Sequence, residues 1–144
     1  MRPGCTTRRS WLIDTIMADE TTARPALLLV EDEGTLVDAL CSNLENEFEI
    51  EVARNVEEAL LLLASRKFHI ILSDHMLPGK LQGLDFLETA MHRQPEAKRI
   101  LMTGYLNPEL LDRSVTLANL SACLIKPVDM VRLRQEIRTA IGPP

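Results

Sequence analysis

"LLLVEDEGTL", Leu27 to Leu36, runs four apolar residues into three consecutive carboxylates, Glu31, Asp32 and Glu33, and then opens onto a helical pattern. A short continuous apolar run suits a strand covered on both faces, as strands of parallel sheets are. Like charges crowded at the end of such a strand form either a solvated turn or a site that holds a cation. The rest of the chain decides between the two.

After the carboxylates, Leu36, Val37, Leu40, Cys41 and Leu44 recur at helical spacing with polar residues between them. Phe48–Ala53 alternates apolar and acidic residues, as an edge strand with one wet face does. In "NVEEALLLLASR", Asn55 is placed to cap a helix and Glu58 to reach back, a capping-box pattern. The run Leu60–Leu63 reads as helix core. "FHIILS" is the next strand and a central one, followed by a helix carrying Leu84, Phe86, Leu87 and Met91. "RILM", Arg99 to Met102, is a fourth strand. Asn107 caps the following helix, with Pro108 at its first position, where a missing N–H costs nothing. Ala122–Ile125 is a fifth strand. Asp129 caps the last helix, whose apolar face is Met130, Leu133, Ile137, Ala140 and Ile141, and Gly142, Pro143 and Pro144 end it. Strict alternation of five strands and five helices predicts an α/β fold: a five-stranded parallel sheet, doubly wound as (βα)5 in the flavodoxin-like manner.

The chain has 144 residues, 46% hydrophobic and 26% charged, which suits one domain able to bury its own core. A net charge of −5 and 3% aromatic residues argue against a basic nucleic-acid-binding surface or base-stacking platform, so direct DNA binding is not expected. No apolar run approaches the ~18 residues of a membrane span. Cys5, Cys41 and Cys123 are far apart and show neither a disulfide framework nor zinc spacing, which fits a cytoplasmic location. "MADETTARP" from Met17 reads as a natural soluble N-terminus, so the true start is Met1 or Met17. Residues 1–23 are expected to be a disordered or non-native tail and 24–144 the folded domain.

In doubly wound sheets, ligands sit at the carboxyl ends of the strands. The first strand ends at Glu31 and Asp32, the third at Asp74 in "LSD", the fourth at Thr103 in "MTG" and the fifth at Lys126 in "IKP". Three carboxylates, a hydroxyl and an ammonium on one edge make a hard-cation site beside an anion site. Magnesium takes a few carboxylates together with phosphate oxygens, and Thr103 and Lys126 offer a donor and a counter-charge to a phosphoryl group.

"LLLVEDE", "IILSDHMLPG", "ILMTG" and "LIKP" stand in the order, and at the separations, of the receiver domain of two-component response regulators, which residues 26–141 resemble. Each piece alone is weak; four in register are strong. The resemblance implies that Asp74 is the phosphoacceptor. It implies that Glu31, Asp32, Asp74 and the backbone carbonyl of Met76 hold Mg2+, that Thr103 and Lys126 bind the phosphoryl group, and that Pro127 follows in a cis-prolyl turn. The donor would be a sensor histidine kinase or a histidine phosphotransfer protein. The product, an acyl phosphate, would be a temporary signal read at the helix 4–strand 5–helix 5 face. The protein is expected to be a binding module and not an enzyme. The protein is expected to be a single-domain regulator without an output domain of its own, so a separate output protein is expected to read the signal, with a homodimer possible on phosphorylation.

The sequence departs from the family in several places. An aromatic residue usually stands where Cys123 does, so the usual aromatic switch is in question, and Tyr105 is a possible modifier of it. Tyr105 also lies where a bulky side chain can screen an acyl phosphate from water. The loop "MLPGKLQG" is one residue longer than usual and lacks the common aspartate before Gly83. These departures keep open an alternative, a phosphorylation-independent receiver-like docking module. A phosphoaspartate hydrolase of the haloacid-dehalogenase type fits less well, because "VEDEG" lacks the required DxD pair. Of the histidines, His75 adjoins Asp74 but is expected to pack or face solvent, and His69 and His92 show no ligand spacing.

Overall fold

In a computed structural model of the chain, residues 23–105 and 107–142 are described. The N-terminal tail expected over 1–23 therefore lies outside the described residues up to position 22. The elements are β1 (Ala26–Val30), α1 (Gly34–Leu44), β2 (Glu49–Ala53), α2 (Val56–Ser65), β3 (Ile70–Asp74), α3 (Gly83–Arg93), β4 (Lys98–Thr103), α4 (Pro108–Ala118), β5 (Ala122–Ile125) and α5 (Met130–Ile141). The five strands form one parallel sheet in the order β2-β1-β3-β4-β5. This is the doubly wound α/β architecture read from the alternation. β2 is an edge and β3 is central, as their patterns predict.

The period-2 alternation of buried strand side chains divides the core in two. Leu28, Val30, Ile71 and Leu101 face α2, α3 and α4, meeting Val56, Leu63, Leu87 and Leu110. Leu27, Leu29, Ile70, Leu72, Ile100 and Met102 face α1 and α5, meeting Leu40, Leu44, Leu133 and Ile137. Every residue of β1 and β3 is buried, which is why β1 reads as an unbroken apolar run before its carboxylates and β3 as an apolar run interrupted only by Ser73.

The caps form largely as read. Asn55 Oδ1 accepts from the Glu58 N–H at 2.8 Å, Asn107 Oδ1 from the Leu110 N–H at 2.8 Å, and Asp129 Oδ1 from the Val131 N–H at 2.9 Å. Glu58 reaches back one residue further than a capping box requires, accepting the Arg54 N–H at 2.9 Å. Of Leu60–Leu63, Leu63 is buried and Leu60 and Leu62 pack partly buried against the core, while Leu61 points away from it and is exposed. One reading needs correction. Cys41 is buried and disulfide-bonded, a pairing that no close cysteine spacing announces. Among the described residues no helix is long and apolar enough to cross a membrane.

Candidate functional site

Parallel pairing brings the strand ends level. Val30 pairs with Ser73, Asp74 with Met102 and Thr103 with Ile125. The residues just past those ends, Glu31 and Lys126, therefore join Asp74 and Thr103 at one edge of the sheet. The turns are fastened by backbone bonds: Glu31 N–H to Ala53 O at 3.0 Å, His75 N–H to Met102 O at 2.8 Å and Lys126 N–H to Thr103 O at 2.8 Å. The Lys126–Pro127 peptide is cis.

Glu31, Asp32 and Asp74 each offer one carboxylate oxygen, and the three oxygens lie within 4.8 Å of one another. Glu31 and Asp74 are buried and Asp32 is exposed, so the cluster opens to solvent on one side. Lys126 Nζ stands 3.0 Å from Glu31 Oε1 and 3.1 Å from Asp74 Oδ1, bridging the two buried carboxylates. The other oxygen of Glu31 accepts the Asp32 and Glu33 N–H groups at 3.1 and 3.3 Å.

Burial pushes the Glu31 carboxyl above its usual range, and the nearby Asp74 charge adds to this against the opposing pull of Lys126 and the Glu33 N–H. For Lys126, burial pulls the ammonium down, but its hydrogen bonds and attraction to Glu31 and Asp74 outweigh that and hold it above the usual value. The cluster sets three carboxyl groups against one ammonium in a partly desolvated place. Three oxygen donors of this kind, open on one side, are what a hard divalent cation takes, with neither histidine nor cysteine in the set.

The Thr103 hydroxyl is held by its own loop. It donates to the Tyr105 carbonyl at 3.0 Å and accepts the Tyr105 N–H at 3.2 Å. Thr103, Tyr105, His75 and Met76 line a cleft of about 510 Å3 that runs beneath Leu110 and Arg113 at the start of α4. Tyr105 and Met76 are its exposed apolar rims, at 73% and 68%. His75 is half-buried beside it, with Nδ1 buried and lacking a partner. His69 is structural, its Nδ1 accepting the Ala26 N–H at 3.0 Å. Cys123 is not part of the cluster. It sits on β5 opposite Leu101, a free thiol half-buried against the core, and burial raises its pKa.

Two neighbours of the cluster escape a reading from strand ends. Gly83, the first residue of α3, packs on Asp74 so closely that a Cβ there would stand 1.8 Å from the Asp74 carbonyl oxygen. Its only signal in the sequence is a glycine where a helix would favour a better former. Gln82, the residue before it, has no pattern at all to announce it.

A doubly wound five-stranded sheet with carboxylates and a lysine gathered at its carboxyl edge defines a class of signalling module. A family model described as the response regulator receiver domain matches residues 27–138, and the chain belongs to that family. The hydrogenase transcriptional regulatory protein HoxA of Cupriavidus necator is 33% identical over 115 residues, covering 80% of this chain and 24% of that protein. The response regulator protein PilR of Pseudomonas aeruginosa is 34% identical over 122 residues, covering 83% of this chain and 26% of that protein. The chain thus spans about a quarter of the length of these relatives. Two solved structures, each 29% identical with a TM-score of 0.78, cover 83% of the chain. One is the signal receiver domain of an HD domain-containing protein from Pseudomonas fluorescens, matched over 95% of its length. The other is a CheY-like response regulator receiver domain protein from Methanospirillum hungatei, matched over 94%.

Proposed function

We propose that the chain is a phosphorylation-controlled receiver that takes a phosphoryl group on Asp74 from a phosphohistidine of a sensor histidine kinase or histidine phosphotransfer protein. The observation that carries this is the bridge of Lys126 between Glu31 and Asp74, within a cluster completed by Asp32. An Asp74 carboxylate oxygen forms the new bond to phosphorus. The P–N bond to the donor imidazole breaks, and its electron pair stays with the ring nitrogen, which takes up a proton. Glu31, Asp32, Asp74 and the Met76 carbonyl would hold Mg2+. When bound, that ion would offset the repulsion between these carboxylates and the phosphoryl oxygens.

Lys126 is already within ion-pair reach of Asp74 and stabilises charge spreading over the transferred group. Thr103 leaves its contacts with Tyr105 to donate to the phosphoryl oxygen. That loosens the loop into α4 and biases α4, β5 and α5 between two packings. A separate output protein, or a second copy forming a homodimer, reads the altered face, and the chain works in the cytoplasm. Tyr105 stands at the rim of the cleft with Thr103, where it hinders water from reaching the acyl phosphate. Tyr105→Ala therefore speeds phosphate loss, and an unchanged time course by intact mass would rule that role out.

The test of the main reading is intact mass after incubation with Mg2+ and acetyl phosphate. A single phosphate adduct is expected in wild type, absent from Asp74→Asn and absent without the metal. A second reading, a docking module indifferent to phosphate, draws on Cys123 standing half-buried where the family's aromatic residue is missing. It is supported if no adduct forms with acetyl phosphate or a kinase, or if partner affinity is the same with and without the adduct.

A further inference from the structure

Gln82 is the half-buried residue that precedes α3. It turns back into the loop between β3 and α3. Its Oε1 accepts the Leu77 N–H at 2.9 Å, and its Nε2 donates to the Gly79 carbonyl at 3.1 Å. Only one orientation of the amide satisfies both partners, an N–H and a C=O. The Gln82 backbone is fixed separately, its N–H donating to Asp85 Oδ2 at 2.9 Å, and the loop is closed by the Gly83 N–H on the His75 carbonyl at 3.0 Å.

The Leu77 N–H and the Met76 C=O belong to the same planar trans peptide and point in opposite directions. Holding one therefore sets the direction of the other, and a hydrogen bond to the N–H polarises the carbonyl toward greater negative charge. The exposed Met76 side chain offers no packing to do this job, while Leu77 is anchored in the core. We propose that Gln82 is the positioning residue that aims and polarises the Met76 carbonyl as a ligand for the divalent cation. The inference rests on the metal reading above and adds to it a side chain that never touches the ion.

Mg2+ affinity of the full chain, without phosphodonor, tests it by calorimetric titration, with the Leu77 amide followed by NMR. Gln82→Met keeps the stem and removes the acceptor. Gln82→Glu keeps an acceptor for Leu77 but loses the donor to Gly79. Gln82→Met should weaken Mg2+ binding about tenfold, as loss of an outer partner of a ligand does, and release the Leu77 amide to exchange, with thermal stability nearly unchanged. Gln82→Glu should restore affinity. The double variant Leu81→Glu, Gln82→Met adds the same charge one residue away and should not. Unchanged affinity in Gln82→Met overturns the inference. So does equal loss in Gln82→Glu, which would make the side chain a brace for loop shape alone, and so does rescue by the Leu81→Glu control, which would make the effect one of charge. Wild type without saturable Mg2+ binding overturns the metal reading itself, and this inference with it.

Discussion

At the scale of single residues, Glu31 carries the sharpest conflict. It is fully buried, and burial together with the Asp74 charge raises its carboxyl pKa in the folded chain. A raised folded pKa means that the folded state holds its proton more tightly than the unfolded one does. The group's contribution is therefore favourable below its unfolded pKa and is lost as pH rises through the folded value. At neutral pH the burial of Glu31 therefore works against folding in the metal-free protein, offset in part by Lys126 and the Asp32 and Glu33 N–H groups. Glu31→Gln should raise the metal-free Tm, by about 3 °C for each kcal/mol relieved, while weakening Mg2+ binding. A thermal scan from pH 4 to 8 checks the sign, since the gap between mutant and wild type must close in acid. Lys126 works in the alkaline direction. Its pKa is also raised, so the stability it supplies persists below the ordinary lysine value and disappears as pH climbs through the folded one.

The residue types at this edge were legible because charged groups at the ends of apolar runs have few bland explanations. Glu31, Asp32, Asp74 and Lys126 were found that way and meet as expected. What spacing cannot show is which carboxylates the lysine bridges, or that the Thr103 hydroxyl closes on its own loop, because these depend on side-chain rotamers.

At the scale of elements, α3 and α4 are set by close contacts rather than by propensity. Gly83 lets the start of α3 lie on the Asp74 carbonyl, which Ser73 Oγ also contacts at 3.0 Å. Gly83→Ala would put a Cβ against backbone that cannot yield. It should cost about 3 kcal/mol by overpacking and shift Asp74, lowering adduct formation beyond what the lost stability explains. Chemical denaturation and intact mass on the same preparation separate the two effects.

The other end of α4 depends on Arg99, a buried cation whose neighbours are carbonyls. Its Nε donates to Ala118 O at 2.8 Å, its Nη1 to Ala97 O at 2.6 Å and its Nη2 to Asn119 O at 3.3 Å. The guanidinium thus caps the C-terminus of α4 from the neighbouring strand, where the helix dipole favours positive charge. Burial lowers its pKa, but an arginine remains charged. Arg99→Met leaves those carbonyls buried without donors and should cost about 2 kcal/mol, with hydrogen exchange rising first in the last turn of α4. In the sequence Arg99 looks like the opening residue of an apolar strand, and nothing within "RILM" tells that its side chain turns to a helix 19 residues on. The elements themselves were legible because their periodicities differ and their caps are local. Tertiary caps are not local, so the pattern is silent about them.

At the scale of the whole molecule, the site and the fold share one free energy. β1, β3, β4 and β5 each deliver a charged or polar group to the same edge, so anything bound there draws four elements of the sheet together. A ligand that binds the folded state alone stabilises it by mass action. Mg2+ at about one hundred times its dissociation constant should add about 2.7 kcal/mol, which for a domain of this size is a rise of about 8 °C in Tm. Asp32→Asn should abolish most of that rise while leaving the metal-free Tm nearly unchanged, because Asp32 is exposed and outside the Lys126 bridge. The rise should also shrink in acid, since protons compete with the metal for Glu31, whose raised pKa brings that competition nearer to neutral pH. Differential scanning calorimetry across Mg2+ concentration and pH reads all three. A rise that survives Asp32→Asn in full would place the ion elsewhere on the molecule, and the carboxylates of Glu31 and Asp74 would then be held by Lys126 alone.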